Sequence, residues 1–139
     1  WKFEAGTPNL IGVVGLGRAI EYLSQVGMKN VWQHDQALAA YLTQRLTQLP
    51  GIQIYGQPQA AIVPFVLMIK GKLVHSHDVA EIADSRQVAL RGGHHCAQVL
   101  MSYLQLPELC RASGALYNTR EDVEALFSAL TAVRDVFIN

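Results

Sequence analysis

Arg91-Gly92-Gly93-His94-His95-Cys96 is the stretch that decides how this 139-residue sequence is interpreted. Its two glycines allow the backbone to turn tightly, and two histidines and an arginine stand beside one cysteine. Neighbouring positive or protonatable groups favour the reactive thiolate form of a cysteine. The apolar run at 87–90 (QVAL) predicts a strand that leads into this loop. The alternative is an inert thiol, because cysteine is also common in protein interiors as a small apolar side chain.

The composition is that of a globular domain with a hydrophobic core. Half of the residues are hydrophobic, and 11 basic residues balance 11 acidic ones. This balance gives no basic surface for nucleic acid or for anionic lipid, so we expect neither nucleic acid nor a membrane as partner. No apolar run is long enough to span a membrane, and no signal peptide is visible. Two cysteines are too few for a disulfide scaffold, so we expect a cytoplasmic protein.

The amino-terminal part of the chain predicts a loop followed by a helix. Apolar residues at helical spacing indicate a helix over 10–26, with Asn9 as its cap and Gly27 as its end. Three glycines inside this helix have the spacing G-x-x-G-x-G. We reject a dinucleotide-binding loop, because no strand comes before them and the order of the spacings is wrong. Close packing against another surface is the preferred explanation.

The rest of the chain alternates between helical and strand-like patterns. We predict a helix over 31–49, strands over 52–55 and 62–69, a helix over 78–85 begun by a capping box at Asp78, a strand over 88–90, a short helix over 97–104, a strand over 110–117 and a last helix over 120–137. Pro64 suggests that its strand lies at a sheet edge or contains a bulge. The predicted fold class is α/β (a small α+β domain), with a mainly antiparallel sheet and helices on one face.

Four kinds of chemistry are consistent with the cysteine loop. One is a metal site built from His75, His77, His94, His95 and Cys96, although no usual zinc-ligand spacing is present. Another is a disulfide with Cys110. A third is a hydrolase with a cysteine–histidine pair. The last is a thiolate that attacks a substrate held elsewhere, with Arg111 binding a carboxylate through its fork of donors. For Arg111, a structural ion pair is the alternative.

Three motifs occur in the order and at about the separations of one known family. They are Phe3-Glu4-Ala5-Gly6-Thr7-Pro8-Asn9, Arg91-Gly92-Gly93-His94-His95-Cys96-Ala97, and Cys110-Arg111-Ala112-Ser113 followed by Tyr117-Asn118-Thr119. Through them the chain resembles the carboxy-terminal portion of an aminotransferase class-V enzyme, and more closely a group II, SufS-like cysteine desulfurase of the selenocysteine lyase type. The resemblance implies that 1–25 is a strip of the large domain with a connecting helix. It also implies that 26–139 is the small carboxy-terminal domain of the pyridoxal phosphate-dependent transferase fold.

The resemblance also implies an activity. Enzymes of this kind use pyridoxal 5′-phosphate to remove sulfur from L-cysteine and release L-alanine. An enzyme thiolate receives the sulfur as a persulfide, and a SufE-like acceptor protein collects it for iron–sulfur cluster assembly. L-Selenocysteine is the alternative substrate. A different class V enzyme, or a non-catalytic or metal-binding module that keeps the fold, is the alternative function.

Individual residues can be matched to the family motifs. Cys96 matches the nucleophile that carries the persulfide, Arg111 matches the arginine that binds the substrate carboxylate, and Arg91 matches a second arginine near it. Thr7 matches a threonine that reaches the cofactor phosphate of the neighbouring subunit, which implies a homodimer. His94 and His95 match motif positions, and we expect them to support the thiol.

The sequence also departs from the family pattern. The family's cofactor-binding lysine lies upstream of the first motif, and none of Lys2, Lys29, Lys70 and Lys72 has a matching context. Val99 stands where proline is frequent, and Gly114 is smaller than expected. The sequence starts with Trp1, so we expect a fragment or excised domain that is inactive by itself.

Overall fold

The computed structural model describes residues 2–138; Trp1 and Asn139, at the ends of the two predicted domain ranges, lie outside it. The described residues contain five helices and five strands. In chain order they are α1 (Leu10–Val26), α2 (Met28–Thr47), β1 (Ile52–Ile54), β2 (Ile62–Ile69), β3 (Lys72–Leu73), α3 (Ser76–Asp84), β4 (Arg91–Gly93), α4 (Gln98–Leu104), β5 (Leu109–Ser113) and α5 (Arg120–Ile138). The chain forms two compact units, one ending at Gln33 and one beginning at His34. The predicted domain boundary at 25/26 stays a prediction.

The first unit contains α1, whose bounds agree with the sequence-based prediction. Asn9 caps it as predicted: the side-chain oxygen accepts a hydrogen bond of 3.0 Å from the Gly12 N–H. A Cβ atom at position 12 would lie 2.6 Å from the Asn9 amide nitrogen, so this glycine makes room for the cap. No residue of α1 is buried within the described chain.

The sheet of the second unit is antiparallel throughout, as the sequence predicts. Its strand order is β1-β2-β5-β4, and β3 pairs with β2 as the second arm of a hairpin. The prediction that Pro64 marks a sheet edge is wrong, because β2 lies between β1 and β5. The Pro64 carbonyl accepts from the Tyr55 N–H at 3.0 Å, just beyond the last residue of β1. The proline's missing N–H therefore faces the point where β1 has already ended.

The two faces of the sheet are covered by different helices. Side chains alternate along a strand, and the odd-numbered residues of β2 face a large core that α2, α3 and α5 complete. This core includes the fully buried side chains Leu46, Val63, Phe65, Val79, Leu130 and Val133. The opposite face carries a smaller cluster of Val66, Leu109 and Met101, the last from α4. The sheet therefore has helices on one face as predicted, and the structure adds α4 on the other.

Several predicted boundaries shift in the structure. Residues 87–90 are not a strand; Val88 and Leu90 instead pack against the large core without pairing. The strand begins later: it is β4, formed by the first three residues of the cysteine motif, Arg91–Gly93. Helix α3 begins at Ser76 and its cap is His75, whose ring nitrogen accepts from the His77 N–H, so the predicted cap at Asp78 is wrong. Within residues 2–138, no helix is both long enough and apolar enough to cross a membrane.

Candidate active site

The cysteine of the motif lies at the tip of a tight turn. Residues 94–97 close on themselves through a hydrogen bond of 2.9 Å from the Ala97 N–H to the His94 carbonyl. The two central residues, His95 and Cys96, both have positive φ, at 55° and 56°. Positive φ at both central positions is the geometry of a type I′ turn. The turn presents Cys96 as an exposed, free thiol.

Both motif glycines are required by the local structure. A Cβ atom at Gly92 would lie 2.7 Å from the Ser76 carbonyl oxygen, so β4 approaches the start of α3 too closely for any side chain. Gly93 has a φ of +115°, which L-residues rarely adopt. These two residues place β4 against α3 and direct the chain into the turn.

The sheet register brings the two predicted arginines together. Arg91 of β4 is the direct antiparallel partner of Arg111 of β5. Direct partners share a face and lie about 4.5–5.5 Å apart at Cβ. This face is the one that carries Leu109, because Leu109 and Arg111 are two residues apart on one strand. Like charges placed opposite each other destabilise a sheet, so a bound anion would relieve the pair.

Arg111 also provides evidence against the structural ion pair. Its Nε atom is buried and has no hydrogen-bond partner among the described residues. None of the ion pairs formed within residues 2–138 includes it. A buried donor without a partner costs about 1–3 kcal/mol, which a ligand carboxylate would recover.

A cavity of about 370 Å³ lies beside Arg111 and the turn. Its walls come from the face of the sheet that α4 covers, and they are mostly apolar. The residues that line it are Tyr55, Gly56, Pro64, His95, Ala97, Leu100, Met101, Leu104, Leu109 and Arg111. Arg111 and His95 are the ionisable groups of this wall other than Tyr55, so a small ligand with one anionic end fits its chemistry.

The two histidines of the motif have different environments. His95 is half-buried, and its Nε2 atom lies 3.1 Å from the Leu109 carbonyl oxygen. His94 is exposed and makes no side-chain hydrogen bond in the part of the chain that is described. Sequence reasoning placed both in one supporting role and did not distinguish them.

Thr7, the predicted contact to a cofactor phosphate, lies in the other compact unit. It is an exposed residue of the loop that comes before α1. Its contact with a cofactor phosphate stays a prediction.

A polar cluster lies at the start of α3, where Gly92 of β4 packs against Ser76. The Glu108 carboxylate accepts hydrogen bonds from the Ser76 N–H at 2.7 Å and from the Ser76 hydroxyl at 2.8 Å. Burial alone would raise the pKa of Glu108, but these two hydrogen bonds, with His75 and His77 nearby, outweigh it and lower that pKa. Sequence reasoning missed this cluster, because Ser76 and Glu108 are 32 residues apart and no local pattern connects them.

The histidines near the start of α3 and the thiol of Cys110 are the groups on which the metal and disulfide alternatives depend. His75 and His77 stack edge to face, with ring centroids 5.1 Å apart. Among residues 2–138 no three histidine, cysteine or acidic side chains are grouped so as to hold a metal ion. Cys110 is a free, buried thiol that donates to the Ser76 carbonyl at 3.7 Å.

The chain is similar to known proteins over almost its whole length. The family model described as aminotransferase class-V matches residues 1–126. A probable cysteine desulfurase of Halalkalibacterium halodurans is 44% identical over 138 residues, covering 99% of this chain and 33% of the relative. A cysteine desulfurase of Yersinia pseudotuberculosis is 42% identical over 134 residues, covering 96% of this chain and 32% of the relative.

Solved structures give the same result. The crystal structure of the cysteine desulfurase CsdA (S-sulfonic acid) from Escherichia coli superposes with a TM-score of 0.88 at 34% identity, covering 98% of this chain and 33% of that one. The chain thus spans about a third of the length of the relatives that it matches.

The chain belongs to the aminotransferase class-V family. Within that family, the resemblance to the carboxy-terminal portion of a cysteine desulfurase is confirmed by curated relatives and by solved structures.

Proposed function

We propose that this chain is the carboxy-terminal portion of a pyridoxal phosphate-dependent cysteine desulfurase, in which Cys96 takes sulfur from L-cysteine while L-alanine is released. The observation that carries the proposal is the pairing of Arg91 with Arg111, which places Arg111 beside the strand that leads into the Cys96 turn. The homology to cysteine desulfurases supports it.

The two arginines provide the binding step. A guanidinium group can donate two parallel hydrogen bonds to a carboxylate, which fixes both the position and the orientation of that group. Arg111 contributes the buried Nε donor, and the exposed Arg91 adds a second positive charge on the same face. A substrate carboxylate held there leaves the rest of a small amino acid free to reach the neighbouring thiol.

The Cys96 thiolate provides the acceptor step. The thiolate sulfur forms a bond to the substrate sulfur while the bond from that sulfur to the substrate β-carbon breaks. The electron pair of the broken bond stays on carbon, and protonation there gives the methyl group of alanine. The cysteine is left as a persulfide. The exposure of Cys96 suits both this attack and the later transfer of sulfur.

The described residues do not fit a covalent cofactor site. Lys2, Lys29, Lys70 and Lys72 are all exposed, and the Lys70 ammonium donates to the Ile138 carbonyl at 2.7 Å. Pyridoxal phosphate, bound by a lysine elsewhere in the enzyme, would supply the electron sink that makes the substrate carbon–sulfur bond breakable. Thr7 as a contact to the cofactor phosphate across a homodimer is part of this proposal.

The remaining partners follow from the same resemblance. We propose that a SufE-like acceptor protein collects the persulfide sulfur for iron–sulfur cluster assembly. An acceptor thiol must reach the Cys96 sulfur directly, and an exposed turn allows that contact.

The proposal is tested by replacing the thiol in the full-length enzyme that contains this chain. We expect Cys96→Ala to bind pyridoxal phosphate normally, as measured by visible absorbance, but to lose alanine formation from L-cysteine. Cys110→Ala is the matched control, because the buried Cys110 takes no part in the proposed reaction; it should keep the activity. Unchanged alanine and persulfide formation in Cys96→Ala would remove Cys96 from the mechanism.

A further inference from the structure

We propose that His95 is the positioning residue for the Cys96 thiol, and that it acts by donating its Nε2–H to the Leu109 carbonyl. The hydrogen bond fastens the thiol-bearing turn (residues 94–97) to strand β5. The consequence for catalysis rests on the proposed function, whereas the consequence for the order of the turn does not.

The turn needs an external support because its own residues disfavour its backbone. Type I′ turns favour asparagine and glycine, which accept positive φ easily. Here the two central positions hold His95 and Cys96, at φ 55° and 56°. Left-handed backbone is unfavourable for an L-residue with a bulky side chain. Such a conformation persists where the surrounding structure enforces it.

One side chain of the turn provides that support. Among the described residues, the His95 ring makes the turn's one side-chain hydrogen bond, at 3.1 Å to the Leu109 carbonyl oxygen. A carbonyl oxygen can only accept, so the Nε2 atom must carry the hydrogen. The Nδ1 atom of the same ring is buried and without a partner in residues 2–138. The contact through Nε2 therefore comes with an unpaired, buried Nδ1 atom on the same ring.

The anchor point relates the thiol to the arginines. Leu109 pairs with Gly93, the last residue of β4 before the turn, and it lies two residues before Arg111 on β5. The His95 hydrogen bond therefore links the turn that follows β4 directly to the neighbouring strand β5. This link holds the backbone of Cys96 close to β5, the strand that carries Arg111, the proposed carboxylate-binding residue. His94 makes no comparable contact with any residue from 2 to 138.

Three variants of the full-length, cofactor-loaded enzyme separate the hydrogen bond from the backbone requirement. His95→Leu removes both the donor and the polarity. His95→Asn accepts positive φ well, but its amide is too short to reach the Leu109 carbonyl. His95→Gln places an amide donor near the position of Nε2. A role that depends on the hydrogen bond predicts that glutamine works and asparagine does not.

Two measurements are made on each variant. Hydrogen exchange of a peptide covering 94–97 reports the order of the turn without any reaction, and it should become about fivefold faster in the leucine and asparagine variants. Steady-state alanine formation should show kcat falling roughly tenfold or more in those two variants, with a smaller change in KM for L-cysteine, since Arg111, the proposed carboxylate-binding residue, is retained. His95→Gln should stay close to the unsubstituted enzyme in both measurements.

The control is His34→Leu, which removes a comparable bond elsewhere: His34 Nε2 lies 2.9 Å from the Asn118 carbonyl. It should leave exchange at 94–97 and kcat unchanged. An asparagine variant that behaves like the unsubstituted enzyme would overturn the proposal, and so would a leucine variant with unaltered exchange. If the unsubstituted enzyme forms no alanine, the proposed function fails, while the exchange data still decide whether His95 orders the turn.

Discussion

Two cysteines with opposite environments show how position controls thiol chemistry in this chain. Cys96 is exposed on a turn, whereas Cys110 is buried in the large core below β4. Burial, and then the charge of the nearby Glu108 carboxylate, raise the pKa of the Cys110 thiol to about 12. Because the thiolate is the nucleophile, Cys110 is chemically silent near neutral pH.

Selective alkylation tests this difference. In the folded full-length protein at pH 8, we expect iodoacetamide to modify Cys96 and to leave Cys110 unmodified. After denaturation both thiols should react at similar rates, because the burial that suppresses the Cys110 thiolate is lost. Mass spectrometry of the digested protein measures both sites. Comparable labelling of the two cysteines in the folded protein would contradict this assignment.

The shape of the Arg111 side chain should matter as well as its charge. Arg111→Ala removes a charged hydrogen-bonding group, and we expect substrate binding to weaken by about 1.5–3 kcal/mol. Arg111→Lys keeps the charge but loses the planar fork, so it should recover only part of that loss. The measurement is KM for L-cysteine. Equal KM values for the lysine variant and the unsubstituted enzyme would argue against two-point binding of the carboxylate.

The candidate site was only partly predictable at the residue scale. The motif identified Cys96, and an arginine among small residues identified Arg111. The pairing of Arg91 with Arg111 depends on the β4–β5 register, which the chain fixes only when it folds. The same is true of the contact between His95 and Leu109, because its acceptor is a backbone carbonyl and leaves no mark in the sequence.

At the scale of elements, the contact between β4 and α3 depends on one missing side chain. We expect Gly92→Ala to destabilise the domain by about 1–3 kcal/mol, because its Cβ atom would meet the Ser76 carbonyl oxygen at 2.7 Å and backbone must move. Gly114→Ala is the matched control. Its Cβ atom would meet the end of the Leu38 side chain at 2.8 Å, which can rotate away more easily.

Urea unfolding of the two glycine variants gives the comparison. The loss of unfolding free energy should be larger for Gly92→Ala than for Gly114→Ala. Equal losses would mean that β4 can shift away from α3 at little cost. A Cβ atom at position 114 would also lie 3.3 Å from the Ala61 Cβ atom, so Gly114→Ala requires a small movement of side chains but none of backbone.

Elements with local signals were predicted well, and those with non-local causes were not. Helix α1 was predicted to the residue because its cap and its terminal glycine are both local. Helix α5 agrees to within one residue, and it begins with a local contact: the Asp122 carboxylate accepts from the Thr119 N–H at 2.9 Å. Residues 87–90 were misread because their apolar side chains serve the core without pairing in the sheet.

At the scale of the whole domain, an ion pair connects the first and last helices of the second unit. Arg45 of α2 donates two hydrogen bonds to Glu124 of α5, at 2.6 and 2.7 Å, and the Tyr41 hydroxyl donates a third at 2.5 Å. The hydrogen bonds from Arg45, and then that from Tyr41, lower the pKa of Glu124 to about 2. The Arg45 guanidinium also lies 3.9 Å from the centre of the Phe127 ring.

This depressed pKa predicts how stability depends on pH. The contribution of Glu124 is complete above its unfolded pKa, about 4.3, and it is lost as pH falls towards the folded pKa of about 2. Glu124→Gln should therefore lower the unfolding free energy at pH 7 and reduce its decline between pH 4.5 and 2. Urea unfolding at several pH values measures both effects. An unchanged acid decline in the variant would mean that other carboxylates dominate it.

Alternate residues of strand β2 face opposite sides of the sheet and contribute to different parts of the domain. Its residues Val63, Phe65 and Leu67 face the large core, while Pro64 lines the cavity beside Arg111 and Val66 belongs to the cluster of α4. A saturation mutagenesis scan along this strand should therefore show a two-residue rhythm. Polar substitutions at odd positions should reduce the yield of folded protein, whereas a change of side-chain volume at Pro64 should alter the cavity beside Arg111. Strand β2 would thus combine residues on which folding depends with one residue that shapes the cavity.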